Sequence, residues 1–144
     1  LIEGTNISVG RGTDTPFEVV GAPWIKSKEF AAYLNGRGIA GVRFVPVTFT
    51  PSSSNYSGQA CQGVNIVLTD RNGFDGPEMG MELAAALLKL YANNWKIEKM
   101  QQLLVNQSVY EALATGQDPR RISQDWREEL QKFQKVREKY LIYK

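Results

Sequence analysis

Residues 63–91 read GVNIVLTDRNGFDGPEMGMELAAALLKLY, and a change of period inside this stretch decides the fold. Gly63 to Thr69 is an apolar, β-branched run of strand length, and Asp70-Arg71-Asn72-Gly73 turns out of it. Asp75 then precedes Gly76-Pro77, which places proline near the first helical position, where its missing N–H costs nothing. Met79, Leu83, Leu87 and Leu90 follow at intervals of four, four and three, so a helix running to about Tyr91 buries one face. Strand patterns dominate before this junction, and only helix patterns follow it.

Upstream, Phe17 to Val20 is a short β-prone run ended by Gly21-Ala22-Pro23. Ser27 is positioned to cap a helix from Lys28 to Leu34, with Phe30, Tyr33 and Leu34 on one face and Asn35-Gly36 as the stop. Val42 to Thr50 reads as a strand in which Pro46 requires an edge or a bulge. Pro51 to Gln62 is a polar loop carrying Tyr56. Downstream, helices are expected over Ile97 to Leu104 and Ser108 to Ala114, and Asp118-Pro119 starts another. Ile122, Trp126, Leu130, Phe133, Val136 and Tyr140 form a second amphipathic stripe, read as core. This order predicts one α+β domain over residues 1–144, with a small mixed or antiparallel sheet from the N-terminal half packed against several C-terminal helices.

A chain of 144 residues, 42% hydrophobic and 22% charged, suits a single soluble core. Its net charge of +2 supplies no field that would draw it to nucleic acid or an anionic membrane. The helix–turn–helix pattern of Val109 to Trp126, with Arg120 and Arg121, lacks the basic face of a DNA reader. The longest mostly apolar run, Leu83 to Tyr91, contains Lys89 and is too short for membrane insertion. The chain has no histidine, which removes a His-dependent triad and a typical zinc site. The single cysteine, Cys61, forbids an internal disulfide and reads as a small apolar filler. Chemistry must therefore come from carboxylates, hydroxyls, amides, Tyr, Lys or Arg.

Those groups concentrate at the start. Glu3, Thr5, Asn6, Ser8, Arg11, Thr13 and Thr15 alternate with Gly4, Gly10 and Gly12, which permit a tight loop and close approach to its backbone. Gly10-Arg11-Gly12-Thr13 lacks the Lys-Ser/Thr end of a phosphate loop, and the run after it looks extended rather than helical. The alternatives are a structural turn with Arg11 exposed and a wall facing a polar ligand other than a nucleotide. Glu3 is a candidate general acid or sugar ligand, with Asp14 and Glu18 nearby, since glycosidic cleavage uses paired carboxylates. Asp70-Arg71 at the strand end reads either as an Asx turn or as a binding pair. Trp24 and Tyr56 offer flat faces for a sugar ring, or else packing.

The residues from Glu3 to Thr13, with Pro16-Phe17 and Gly21 to Trp24, closely resemble the opening of the C-terminal domain of NamZ-type exo-β-N-acetylmuramidases. The resemblance continues through Gly41 to Phe44, Phe49 to Pro51, Tyr56, Cys61, Gly63-Val64, Thr69 to Arg71, Trp126 and Tyr140 to Tyr143. It implies a bacterial, exported glycoside hydrolase of peptidoglycan recycling that releases N-acetylmuramic acid from non-reducing ends. It also implies a Rossmann-like N-terminal domain ahead of Leu1 that carries the main catalytic acids, with no metal and no organic cofactor required. In that setting Asn6, Ser8 and Thr13 are expected on the sugar's neutral groups and Arg11 on its lactyl carboxylate. Trp24, Asp70 and Arg71 complete the expected substrate-binding set, and Glu3 is the candidate catalytic carboxylate. A non-catalytic carbohydrate-binding or domain-packing module is the alternative.

Overall fold

Residues 1–143 are described in a computed structural model. Strands β1 (Val19–Ala22) and β2 (Val42–Phe49) both pair antiparallel with a central β3 (Cys61–Leu68), so the sheet is wholly antiparallel, in the order β1-β3-β2. Pro46 sits on edge strand β2, where its missing donor leaves no ladder bond unmade. β1 runs two residues further than the sequence suggested, through Gly21 and Ala22, and Phe17 lies outside it. Glycine does not end the strand here, because Gly21 faces Gly63 across the ladder. A Cβ on Gly63 would sit 1.9 Å from the Val20 carbonyl oxygen, so the two backbones meet only where both side chains are absent.

Helix α1 (Ser27–Gly36) covers the sheet with Phe30, Ala31 and Leu34. Its start departs from expectation. Lys26 holds the N-cap position and makes no side-chain cap, while the Ser27 hydroxyl donates weakly to Gln62. Asn35, at the other end, donates to the Phe44 carbonyl (2.8 Å) and accepts from the Phe44 N–H (3.0 Å). One side chain thereby satisfies two backbone groups of edge strand β2 that would otherwise invite a foreign strand.

Helix α2 (Gly76–Tyr91) starts as its cap residues predict, with Asp75 accepting from the Glu78 N–H and Pro77 in the first turn. It is buried more widely than a single stripe, through Met81, Leu83, Ala84, Ala86 and Leu87. The helical half continues with a 3-10 turn (Ile97–Met100), α3 (Gln101–Leu104), α4 (Gln107–Ala114), α5 (Pro119–Asp125) and α6 (Arg127–Glu138). Asn106 and Asp118 cap α4 and α5. The second stripe is the main correction. Ile122 is buried and Trp126 half-buried, but Leu130, Phe133, Val136 and Tyr140 are exposed rather than core. Among the described residues α6 meets chiefly α5, and the rest of that stripe is left largely uncovered.

Among the described residues Glu82 is the one fully buried charge, with its side chain 1% exposed. Arg37, just past α1, grips it in a fork (Nε to Oε2 2.7 Å, Nη2 to Oε1 2.9 Å) and also reaches Asp118 at the start of α5 (2.9 Å). The bond from Glu82 raises the Arg37 pKa against the effect of burial, and Asp118 adds to it. Burial opposes charge on Asp118, but the Arg120 N–H and then Arg37 hold its carboxyl below the usual carboxylate range. Three elements meet at this guanidinium. Among the described residues no buried side-chain nitrogen or oxygen lacks a partner.

Three outcomes follow for stability. Gly63→Ala must push β1 off β3 and should cost about 2–3 kcal/mol, whereas Gly36→Ala, with open space around its Cβ, should be neutral or stabilising; thermal unfolding of both variants checks this. Arg37→Ala strands Glu82 and should cost about 3–5 kcal/mol, and adding Glu82→Leu should recover much of it. Because the Asp118 pKa is lower folded than unfolded, its contribution is present above the usual carboxylate range and fades as pH falls through the folded value. The thermal midpoint of the wild type should therefore drop more on acidification than that of Asp118→Asn.

Candidate functional site

The polar opening is a strap bridged to edge strand β1, not a free loop. After a 3-10 turn at Ile2–Gly4, the buried side chains Ile2, Thr5, Ile7, Ser8 and Val9 face inward, and Ser8 exchanges both backbone bonds with Gly21. Three distant segments pick up its remaining polar groups. Asn55 donates to the carbonyls of Thr5 (2.9 Å) and Ile7 (2.8 Å). The Trp24 indole N–H donates to the Tyr56 hydroxyl, which in turn donates to the Asn6 carbonyl, both at 3.0 Å. The Asn6 amide donates to the Asn94 carbonyl (2.7 Å) and its oxygen accepts from the Lys96 N–H (2.8 Å). Thr5 bridges the Ile2 carbonyl and the Trp95 indole.

This wiring sorts the predicted ligands. Asn6 is committed at both ends of its amide. Ser8 is buried and accepts from the Gly10 N–H; Thr13 donates to the Gly10 carbonyl and accepts from the Thr15 N–H. The Trp24 ring lies tilted against Tyr91, with centroids 5.6 Å apart. Asp70 closes an Asx turn onto the Asn72 N–H, with Arg71 exposed beside it.

Glu3 and Arg11, eight residues apart, are brought together. The Arg11 Nε donates to Glu3 Oε1 at 3.1 Å and its Nη2 bonds the same oxygen, while both side chains remain nearly half exposed. A pair this wet adds at most about 1 kcal/mol to stability, so the fold does not require it. The guanidinium also lies over the Phe17 ring, 4.9 Å from its centroid. Phe17 has φ +68 and is 54% exposed, an unusual backbone state for an aromatic residue, at an energy cost of about 1–3 kcal/mol. Its N–H on the Val9 carbonyl (2.7 Å) and the next residue's carbonyl on the Ile66 N–H (2.7 Å) hold it there. Gly12, at φ +77, makes the turn possible, and its carbonyl takes two bonds from Ser52.

Glu3 and Phe17 line a shallow cavity of about 180 Å³ whose other walls are mostly apolar, among them Val9, Ile66, Met79 and Leu83. Asp70 and Arg71 do not line it. A larger hollow of about 360 Å³ near Tyr33 and Lys89 includes Arg37 and Asp118, but those charges are already engaged with each other and Glu82. Cys61 is fully buried, and burial pushes its thiol up, as befits a filler. Among the described residues no three His, Cys, Asp or Glu side chains converge as metal ligands, and no helix is long and apolar enough to cross a membrane. Sequence reasoning placed Phe17 in a strand and so missed it; the adjoining Pro16 was the available signal. Asn55, fifty residues from the strap, left none.

The family model described as "Exo-beta-N-acetylmuramidase NamZ, C-terminal" matches residues 1–143. The peptidoglycan β-N-acetylmuramidase NamZ of Bacillus subtilis (strain 168) is 38% identical over 146 residues, a match covering 99% of this chain and 35% of that protein. Two crystal structures of DUF1343 family proteins from Bacteroides fragilis NCTC 9343, each 22% identical, superpose with TM-scores of 0.73 and 0.60. They cover 96% and 99% of this chain and 38% of each of those chains, and at that identity they speak for the fold alone. The chain thus spans about a third of the length of the curated relative it matches. Matched by the family model along all its described residues, and by the Bacillus protein over nearly its whole length, the chain belongs to the NamZ exo-β-N-acetylmuramidase C-terminal family.

Proposed function

We propose that this chain is the auxiliary domain of an exported bacterial peptidoglycan-recycling hydrolase that releases N-acetylmuramic acid from the non-reducing ends of glycans. In this reading a Rossmann-like domain precedes it in the same polypeptide and carries the main catalytic acids. The strap from Glu3 to Thr13 forms this domain's wall of the cleft between them. The observation that carries the reading is the exposed Glu3–Arg11–Phe17 group at the mouth of an apolar cavity: charge is presented there that the fold does not need.

The geometry supports the following roles. Both Arg11 donors converge on one Glu3 oxygen, which leaves Oε2 to accept from a sugar hydroxyl and leaves Nη1 to meet the lactyl carboxylate. Glu3 then acts as a sugar ligand that also orients the guanidinium. The apolar walls suit the C–H face or acetyl methyl of an amino sugar. Asn6, Ser8 and Thr13 hold the strap in shape, and Trp24 and Tyr56 hold it from behind. Proton transfer to the leaving oxygen is assigned to the preceding domain.

In the intact two-domain protein, Arg11→Ala should lower kcat/KM on a chromogenic N-acetylmuramic acid glycoside about 10- to 100-fold, the worth of one charge-assisted bond. The loss on the N-acetylglucosamine analogue, which lacks the lactyl group, should be much smaller. Equal losses on both substrates would remove the carboxylate role. Glu3→Gln should mainly raise KM, and unchanged turnover and KM would favour a domain-packing role for the strap.

A further inference from the structure

α6 is a helix without a home in this domain. None of its residues is buried, and Leu130, Phe133 and Val136 are each about half exposed or more. They fall at i, i+3 and i+6, on one face, and Tyr140, 78% exposed, extends the line. The rest of the helix is polar, either charged (Arg127, Glu128, Glu129, Lys132, Lys135, Arg137 and Glu138) or amide (Gln131 and Gln134). A helix of twelve residues is marginal in water unless its amphipathic face is covered, so this stripe calls for a cover.

The stripe is continuous with other uncovered apolar surface. Trp126, at the head of α6, lines a hollow of about 450 Å³ with Leu1, Pro77, Met81, Leu104 and Val109. Leu1 and Gly76 belong both to that hollow and to the cavity shared by Glu3 and Phe17. One apolar band therefore runs from α6 past Leu1 to the candidate site. The family match is to a C-terminal region, and the curated relative is nearly three times as long as this chain. In such a relative the additional polypeptide precedes the matched region.

We propose that the Leu130–Phe133–Val136 face of α6, with Trp126 and the hollow around Leu1, is the seat of the domain that precedes it in the same polypeptide. The proposal rests on the reading that such a domain is present, but not on Arg11, the sugar or the chemistry. Covalent linkage explains why an apolar stripe of modest size suffices, since tethering supplies a high effective concentration of partner. Docking here also fixes the tilt of the strap against the opposite wall of the cleft.

Hydrogen exchange on the intact protein tests this. The α6 amides should be protected in the wild type, and that protection should not change on dilution. Phe133→Asp with Val136→Asp should speed α6 exchange about tenfold or more and expand the particle in small-angle scattering. The β3 and α2 amides should keep their protection, since both substituted positions are exposed within this domain. Unprotected α6 amides in the wild type would overturn the proposal. So would protection that disappears on dilution as the mass halves, because the cover would then be a second copy. The wild-type measurement decides even if the double variant misfolds. Loss of lactyl discrimination on Arg11→Ala is read separately, so either reading can fail while the other stands.

Discussion

The candidate site depends on how the strap is held down. A segment with five polar side chains from Thr5 to Thr13 would ordinarily remain solvated, because its backbone donors and acceptors need partners. Asn55 and Tyr56 cap three successive carbonyls, Asn6 ties into the turn after α2, and Ser8 pairs with Gly21. With those groups satisfied, Ile2, Ile7 and Val9 can enter the core. The polarity of the strap is spent mainly on docking it. What remains outward is Glu3, Arg11 and the ring of Phe17.

A second constraint supports the first from below. Glu82 is buried inside α2, and its charge is tolerable only because Arg37 meets it in a fork and carries the interaction on to Asp118. That fixes α1, α2 and α5 relative to one another. α2 supplies Met79 and Leu83 to the floor of the small cavity, so the geometry there inherits the rigidity of an ion cluster on another face. The buried Glu82 is fully paired, whereas the exposed pair at the candidate site is dispensable to folding.

Phe17 links the two roles of the loop. Its left-handed backbone is maintained by bonds on either side, and it turns an aromatic ring outward beneath Arg11. Strain of this kind persists where surrounding structure over-determines it, and it clusters at binding sites. The position lies beside the cavity and the start of the apolar band that leads to α6.

The sequence by itself determined the features governed by short range. Asp75-Gly76-Pro77 and Asp118-Pro119 start helices through contacts within one turn, and the apolar run of β3 and the edge-or-bulge restriction at Pro46 follow from side-chain and donor chemistry alone. The long glycine-punctuated motif also revealed family membership. Tertiary structure alone decided that Asn6 binds to a turn 88 residues away, that Ser27 does not cap, that Arg37 pairs with a buried Glu82, and that most of the last amphipathic stripe stays exposed. Periodicity states which face of a helix is apolar but not what covers it. A polar side chain likewise carries no record of whether its partner will be a ligand or a distant carbonyl of its own chain. Those choices are made when the chain closes, because a buried polar group takes whichever partner the fold brings within 3 Å or so.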